Sequence, residues 1–387
     1  MLRFLTAGES HGPQLTAILD GLPAGLPLDT DDVDRDLAKR QAGYGAGPRM
    51  KIETDRGRMT GGVMNGHTTG APIAITIDNL DYEKWQDRDI APMTIPRPGH
   101  ADLTGAIKYG YRDLRLALER ASARETAARV AVGAICRKFL HTFGVEIGSY
   151  VIVIGSAEAA LDPDQRYPDR FALADRSDVH CPDPIAADQM HAEIRSAIEA
   201  RDTLGGVIEV VAVNVPSGLG SHVQWDRRLS ARLIGALASV HAMKGVELGS
   251  AFDNAHKRGT QVHDEIVRDG DRIVRATNRA GGFEGGITTG EPIVARVAMK
   301  PISTTLNPLH SIDLATGEET RTHYERSDFC AVPRAGVILE AMMAFVLADA
   351  VIEKLGGDSL EEMKPRFEAL RRARLADLPM DNVPWRF

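Results

Sequence analysis

Two histidines in this chain sit where glycine leaves the backbone bare. His11 lies in Gly8-Glu9-Ser10-His11-Gly12, and His100 in Arg97-Pro98-Gly99-His100-Ala101-Asp102. An imidazole beside glycine is little shielded, so it can reach a ligand and exchange a proton near neutral pH. Taken alone, either is read equally well as an exposed turn histidine. Pro98-Gly99 forces a turn before His100, and Asp102 is placed to cap the helix that follows. With Arg97 three residues before His100, the two segments suggest an anion-handling pocket with two proton donors. A third segment, Arg120-Ala121-Ser122-Ala123-Arg124-Glu125-Thr126, contains Ser-x-x-Glu, a capping box that starts a helix at Ser122. Its free N–H groups favour a phosphate. Arg120 and Arg124 there oppose the helix dipole, a cost that an anionic ligand offsets. The plainer alternative is an arginine-rich surface helix, partly buried through Ala121, Ala123, Ala127 and Ala128.

Three further segments are weaker alone. Lys39 to Lys51 is a basic loop punctuated as Gly43-Tyr44-Gly45-Ala46-Gly47, suited to covering an anion or to lying in solvent. It lacks the strand–turn–helix setting of a dinucleotide fingerprint, and the chain has no GxxxxGK[ST]. Lys300-Pro301-Ile302-Ser303-Thr304-Thr305 closes a strand with a cation and three hydroxyls, a set that suits phosphate. Arg326-Ser327-Asp328-Phe329-Cys330-Ala331-Val332-Pro333-Arg334 puts an acid between two arginines, either a general base, a partner for a ring N–H, or a salt-bridged aspartate before a helix. Cys330 has no histidine partner in sequence and is not read as a nucleophile.

The composition bounds these readings. The chain has 387 residues, 43% hydrophobic and 26% charged, the profile of a folded globular protein. A net charge of −8 argues against a surface built for nucleic acid, yet residues 35–51 carry five Lys/Arg against Asp36 alone. No apolar run reaches the roughly 18–20 residues of a membrane span, and Ala335 to Leu355 reads as a buried helix because it carries Glu340, Asp349 and Glu353. Charges in the first residues argue against a signal peptide. Cys136, Cys181 and Cys330 form no CxxC and no Cys/His pair with metal spacing, so we expect a cytoplasmic protein with neither disulfides nor a metal.

The elements that must hold the candidate residues are a mixture. Strands are expected over Leu15 to Gly21, Pro72 to Asp78, Val151 to Gly155, Gly206 to Val215 and Pro292 to Met299. Helices are expected from Thr30, as cap, to Lys39, and over 122–143, 186–201, 227–243, 335–355 and 359–373. That order suits an α+β architecture. There is an internal echo: residues 61–73 and 281–293 share eight of thirteen positions, including Gly61/Gly281, Gly62/Gly282, Thr68/Thr288 and Pro72/Pro292. We read it as two related halves of one domain spanning 1–387, with 156–186 a surface excursion.

Together the segments resemble the chorismate synthase family. The resemblance rests on Gly8 to Gly12, Arg97 to Asp102, Arg120 to Ala127, Asp202-Thr203-Leu204-Gly205-Gly206 and Lys244-Gly245-Val246-Glu247. It continues through the glycines at 281–286, Lys300 to Thr304 and Arg326 to Asp328, all in the family's order. It implies a single α+β sandwich, helices between two antiparallel sheets, assembled as a homotetramer. The implied reaction is an anti 1,4-elimination: 5-enolpyruvylshikimate 3-phosphate loses phosphate from C3 and hydrogen from C6 to give chorismate. It requires reduced FMN without net redox change. Either the protein reduces its own FMN with NADPH or an external flavin reductase does so. With no separate dinucleotide motif in the chain, we favour the external reductase, with NADPH as an indirect reductant.

By resemblance, His11 is the acid beside the departing phosphate, His100 serves the flavin ring, and Asp328 helps remove the C6 proton. Flavin contacts fall on Arg120, Ala121, Ser122, His241, Ala242, Gly285, Gly286, Lys300, Pro301, Ile302, Ser303, Thr304 and Arg326. Ser10, Arg40, Arg49 and Arg124 are the substrate candidates, arginine being suited to carboxylate and phosphate. The chain departs from the family in three places. Ala46 stands where an arginine is usual, with Arg49 as candidate replacement; His241 replaces an amide; and Ile287 to Gly290 is mildly altered. The competing readings are a metal- or histidine-dependent phosphate hydrolase and a nucleotide- or RNA-binding module. The first is opposed by the absence of an HxH, HExxH or carboxylate-rich metal loop, and the second by the net acidity, the few aromatics and the lack of an RNP-like segment.

Overall fold

The structure is a computed structural model describing residues 1–46, 54–324 and 328–386. The first half comprises β1 (Arg3–Ala7), β2 (Gln14–Asp20), α1 (Thr30–Gln41), β3 (Gly57–Gly61), β4 (Val63–Met64), β5 (His67–Thr68) and β6 (Ile73–Asp78). Helices α2 (Asp102–Tyr109), α3 (Arg115–Ala121) and α4 (Thr126–His141) lead to the second half. That half opens with β7 (Glu146–Ile154), β8 (Ala157–Glu158), α5 (Tyr167–Ala174), α6 (Pro184–Glu199), β9 (Gly206–Val213), α7 (Leu229–Ala238) and β10 (Met243–Leu248). It continues with α8 (Ala251–Asn254), α9 (Gly259–Val262) and two hairpins, β11 (Ile266–Asp269) with β12 (Arg272–Arg275) and β13 (Phe283–Glu284) with β14 (Ile287–Thr288). Last come β15 (Ile293–Met299), β16 (His310–Ile312), β17 (Glu319–Arg321), α10 (Val332–Leu355) and α11 (Leu360–Glu368).

The expected sandwich of helices between two antiparallel sheets is what forms. The first sheet runs β1-β2-β6-β3 and the second β8-β7-β9-β15-β10. Apart from β8, the strands of the two sheets correspond one to one. The repeated sequence explains why. Thr68 Oγ1 donates to the Pro23 carbonyl (2.7 Å) and accepts from Leu26 N (2.9 Å). Thr288 Oγ1 donates to the Pro216 carbonyl (2.7 Å) and accepts from Leu219 N (2.9 Å). In each half one buried threonine therefore ties a hairpin to the chain leaving the preceding strand, and the strand after the hairpin enters the sheet centre.

The core lies between the sheets. Leu15, Ala17, Leu19, Ile73, Ile75 and Ile77 alternate along β2 and β6 with side chains on the far face, the period of two that a half-buried strand requires. They meet α4, and α4 packs on α10, which in turn lies on β7 and β9. α10 is long and apolar enough to cross a membrane, and nearly all of it is buried inside the protein. It has no polar face because it is surrounded by α1, α4, α7 and the second sheet.

Several local expectations are corrected. Asp29, not Thr30, caps α1: its side chain accepts from Asp32 N and Asp32 answers at Asp29 N. Ser122 caps only a short 3-10 turn, 123–125, and α4 begins at Thr126. Glu125 does not complete the capping box, because its carboxylate binds Thr6 Oγ1 (2.6 Å) and Arg129 Nε (2.9 Å) instead. Asp102 opens α2 without capping it, since its carboxylate is engaged by Arg97 and His100. The 156–186 excursion lies outside the sandwich but is built into it. It adds β8 to the sheet and lays Leu161, Tyr167 and Phe171 over Tyr150, Ile152, Val211, Val213 and Val294. The outer face of the second sheet is apolar and must be covered; the first sheet's outer face leaves Leu5 and Ile18 exposed.

Gly133 marks the closest approach of α4 and α10. A Cβ there would lie 2.1 Å from Ala341 Cβ and 2.3 Å from its Cα, so backbone would have to move. We expect Gly133→Ala to destabilise the protein by about 1–3 kcal/mol, as overpacking does, measured by urea denaturation. An unchanged midpoint would mean that this contact is slack.

Candidate active site

The site gathers at one end of the sandwich, where loops from both halves converge. Ser10 and His11 come from the β1–β2 connection, His100 from the turn before α2, and Ser122 and Arg124 from the kink between α3 and α4. Arg40 reaches in from the last turn of α1, and His241 and Ala242 from the α7–β10 turn. Lys300 to Thr304 follow β15, while Asp328 and Arg334 lie at the start of α10. Together they enclose a cavity of about 530 Å³, within the range of small-molecule sites. Six cations border it (Arg40, Arg97, Arg124, Lys244, Lys300 and Arg334), but Asp328 is the one carboxylate among the described lining residues.

Each catalytic histidine candidate is backed by a carboxylate. His11 Nδ1 is 2.7 Å from Glu119 Oε1, and His11 N donates to Glu119 Oε2 (2.8 Å). Burial acts to raise the Glu119 pKa, but the hydrogen bond and charge of His11 outweigh it and hold the carboxyl below its ordinary value. His100 Nδ1 is 2.5 Å from Asp102 Oδ1. Burial again opposes ionisation, and again loses: hydrogen bonds from His100 and Arg97 hold Asp102 well below the usual carboxylate range. An ionised carboxylate only accepts, so in both rings we assign the Nδ1 proton toward the acid. Nε2 is then the ring nitrogen turned away from the acid, and both rings border the cavity. His11 also lies against Trp85, ring centroids 4.3 Å apart, and Trp85 donates to Asp81 (3.2 Å).

Arg97 holds the second of these pairs in place. Its Nε (2.8 Å), Nη2 (3.0 Å) and backbone N (3.0 Å) all donate to Asp102. Its Nη1 donates to Thr304 Oγ1 (3.1 Å), which joins the His100 turn to the Lys300 loop. Ser303 Oγ donates to the Gly99 carbonyl (3.0 Å), and Lys300 Nζ to Ser303 Oγ (3.1 Å). Burial and the neighbouring Lys244 lower the Lys300 pKa. Burial also lowers that of His241, whose Nδ1 is buried without a hydrogen bond.

Arg40 and Arg124 are held by the protein itself. Asp55, fully buried, accepts from Arg124 Nη1 (2.6 and 2.8 Å) and Arg40 Nη1 (3.3 Å). Arg40 further donates to Thr126 Oγ1 and the Ala123 carbonyl, both 3.0 Å, and Arg124 to Asn79 Oδ1 (2.7 Å). Burial lowers the Arg40 pKa to about 10, with Asp55 acting against it. Ser10 Oγ and Ser122 Oγ are 3.1 Å apart.

Not every expected residue lines the cavity. Arg120 is half exposed and donates to Thr6 O (2.9 Å), Thr6 Oγ1 (2.7 Å) and Gly8 O (3.2 Å), bracing the His11 loop from outside. Pro301 is exposed. Gly285 and Gly286 form the β13–β14 turn against His222 and Arg228, away from the cavity. Arg49 and Arg326 lie outside the described residues. Ala121, Ser122, His241, Ala242, Lys300, Ile302, Ser303 and Thr304 do line it. Sequence reasoning passed over Glu119 and Trp85. Glu119 is 108 residues from His11 in sequence, so no local pattern marks the pair.

Comparison with known proteins identifies the family. The family model described as "Chorismate synthase" matches residues 2–352. The chain belongs to the chorismate synthase family. It is 53% identical to the chorismate synthase of Aquifex aeolicus (strain VF5) over 384 residues, 95% of this chain and 96% of that one. It is 50% identical to that of Chlorobaculum tepidum (96% and 98% covered) and 52% identical to that of Rubrobacter xylanophilus (97% and 99% covered). A structure titled "Crystal Structure of Chorismate Synthase" superposes with a TM-score of 0.79 at 46% identity, covering 95% of this chain and 96% of the other. Chorismate synthases are carbon–oxygen lyases that expel phosphate from 5-enolpyruvylshikimate 3-phosphate.

Asp102 provides a test with a definite sign. Its folded-state pKa is depressed, so its contribution to stability is present above the unfolded value near 4 and is lost as pH falls below it. Asp102→Asn leaves Arg97 buried without its charge partner, so we expect a loss of about 3–5 kcal/mol at pH 7. The difference from wild type should shrink toward pH 3 in denaturant titrations. A difference that stays constant with pH would show that Asp102 is not ionised in the native protein.

Proposed function

We propose that this cavity performs the chorismate synthase elimination with reduced FMN and the substrate held together. The observation that carries the reading is the pair of histidines, each backed by an ionised carboxylate, bordering one cation-rich cavity. The residues present fit a flavin phosphate and ring. Lys300, Ser303, Thr304 and Ser122 offer cation and hydroxyl donors; the buried His241 Nδ1, 4.0 Å from Glu125 Oε2, has no hydrogen-bond partner; and Leu118, Ala121, Val240 and Met299 supply apolar wall. When bound, reduced FMN supplies reversible electron density, so that the elimination is redox-neutral overall.

The protein's own groups then have distinct tasks. His11 Nε2 donates a proton to the phosphate oxygen as the C3–O bond breaks, and Glu119 stabilises the imidazolium that does so. Ser10 and Ser122 give hydroxyl donors at the same end, and Arg40 and Arg124 with Arg49 supply the positive field for the substrate's anionic groups. Asp328 takes the C6 proton. His100, oriented by Asp102 and Arg97, exchanges a proton on the flavin side. Arg120, Pro301, Gly285, Gly286 and Arg326 remain proposed flavin contacts through the family resemblance alone.

The wider setting is also proposed. A homotetramer is supported by the exposed Leu5 and Ile18 on the first sheet's outer face. One continuous apolar core drawn from both halves supports a single domain. Three free, buried cysteines suit a reducing cytoplasm, and burial pushes the Cys181 and Cys330 thiols up to about 11. Electrons reach the flavin from NADPH through an external reductase.

The test is anaerobic turnover with FMN and dithionite, following chorismate absorbance and phosphate release. Activity is expected only with reduced flavin. His11→Ala and His100→Ala should each lower kcat by about 10²–10⁴ while FMN binding persists. Wild-type rates in both variants would overturn their roles.

A further inference from the structure

We propose that Arg334 binds the ring carboxylate of the substrate through a guanidinium edge that the protein leaves open. Of the buried arginines bordering the cavity, Arg40, Arg97 and Arg124 are engaged at Nε, Nη1 and Nη2 by protein groups. Arg334 is different. Only 8% of its side chain is exposed, its Nη1 is 3.2 Å from Asp328 Oδ2, and its Nε and Nη2 are buried with no hydrogen-bond partner. Buried donors without partners are rare because each carries a desolvation cost. A cation in the first turn of α10 is further disfavoured by the helix dipole. Both costs are met by an anion at that spot.

The geometry selects the kind of anion. Nε–H and Nη2–H lie on one edge of the guanidinium plane, the fork that grips a carboxylate with two parallel bonds. Arg334 also borders a second cavity of about 410 Å³, but there Asp175, Asp178 and Glu340 offset Lys39 and Arg176, so it lacks the excess of positive charge that the first cavity has. The first cavity has Arg40 and Arg124 nearby and Asp328 as its lining acid. Which substrate anion this is follows from Asp328, and here the argument rests on the function proposed above. If Asp328 faces C6, its partner Arg334 lies beside C1 or C5, the two carbons bonded to C6. The carboxylate on C1 is attached directly to the ring, whereas the one on C5 stands two atoms further out on the enolpyruvyl ether, so the ring carboxylate is the anion nearest the partner of Asp328. The phosphate on C3 is across the ring. Arg334 thus serves two ends: it orders Asp328 through Nη1 and fixes the adjacent carbon through the open edge. It also places a guanidinium in the cavity to which Ala46 contributes none.

The experiment is calorimetric titration of the flavin-free full-length protein with shikimate 3-phosphate and with its ring carboxamide, which lacks only the negative charge on C1. Wild type should favour the acid over the amide by roughly 30-fold or more, as for other buried charge pairs. Arg334→Gln should bind the acid correspondingly more weakly and discriminate less than about 3-fold, with Arg334→Lys between them because lysine cannot form the fork. FMN affinity should not change. If Arg334→Gln does not fold, judged by circular dichroism, the lysine variant carries the same comparison. A variant that keeps wild-type discrimination overturns the assignment. Turnover of the wild type, measured in parallel, separates the two claims. Failure there overturns the proposed function and this inference with it, whereas turnover with undiminished discrimination in the variants overturns Arg334 alone.

Discussion

Six cations around one buried cavity repel one another, and the fold depends on the carboxylates that stand behind them. Asp55 lies between Arg40 and Arg124, and Asp102 between Arg97 and His100. Glu119 holds His11 by ring and backbone at once. None of the three lines the cavity, so the wall stays positive while the interior behind it is near neutral. That arrangement does two jobs. It keeps the arginines from driving the loops apart, and it pre-orients both imidazoles before any ligand arrives. Arg334 and Asp328 extend the same pattern to the start of α10, with a guanidinium edge left over.

The duplicated fold explains where this arrangement could arise. Corresponding strands occupy corresponding places in the two sheets, and Thr68 and Thr288 make the same two hydrogen bonds. The halves differ in two connections. β3 passes to β4 through Gly62 alone, whereas β10 reaches β13 through α8, α9 and the β11–β12 hairpin. The second difference bears on the site. Between β1 and β2 the chain needs only residues 8–13, which carry Ser10 and His11; between β7 and β9 it makes the long detour through α5 and α6. The short connection places a histidine over the end of the sandwich. The long one covers the second sheet's apolar outer face. Helix α4 links the halves, and its start delivers Ser122 and Arg124 to the same end.

Much of the site was legible because its parts are local. Gly8 to Gly12, Arg97 to Asp102 and Lys300 to Thr304 each combine a turn with chemistry within a few residues, and each does border the cavity in part. The long strands and helices were legible for a similar reason: apolar periodicity is a short-range property. The misreadings were cap rules overridden by competing charged and polar partners. Asp102 has the sequence of a cap and Glu125 that of a capping box, but Arg97, His100, Thr6 and Arg129 claim their carboxylates. A charge-assisted bond to a buried partner outweighs a cap. The excursion at 156–186 looked irregular from its aspartates and prolines, since nothing local shows that a sheet face elsewhere needs covering.

The sequence by itself therefore determined the element types, the two related halves and the identity of the reactive groups, because periodicity, turn chemistry and motif order are written within short stretches. It also carried the family resemblance, which reads motifs in their order along the chain. Only the tertiary structure decided which acid stands behind which base. Glu119 reaches His11 across 108 residues, and Arg97 reaches Thr304 across 207. It likewise decided that Arg40 and Arg124 are largely engaged with the protein while Arg334 keeps an open edge. Burial and partnership are properties of the packed state, and they set both pKa and the donors left for a ligand.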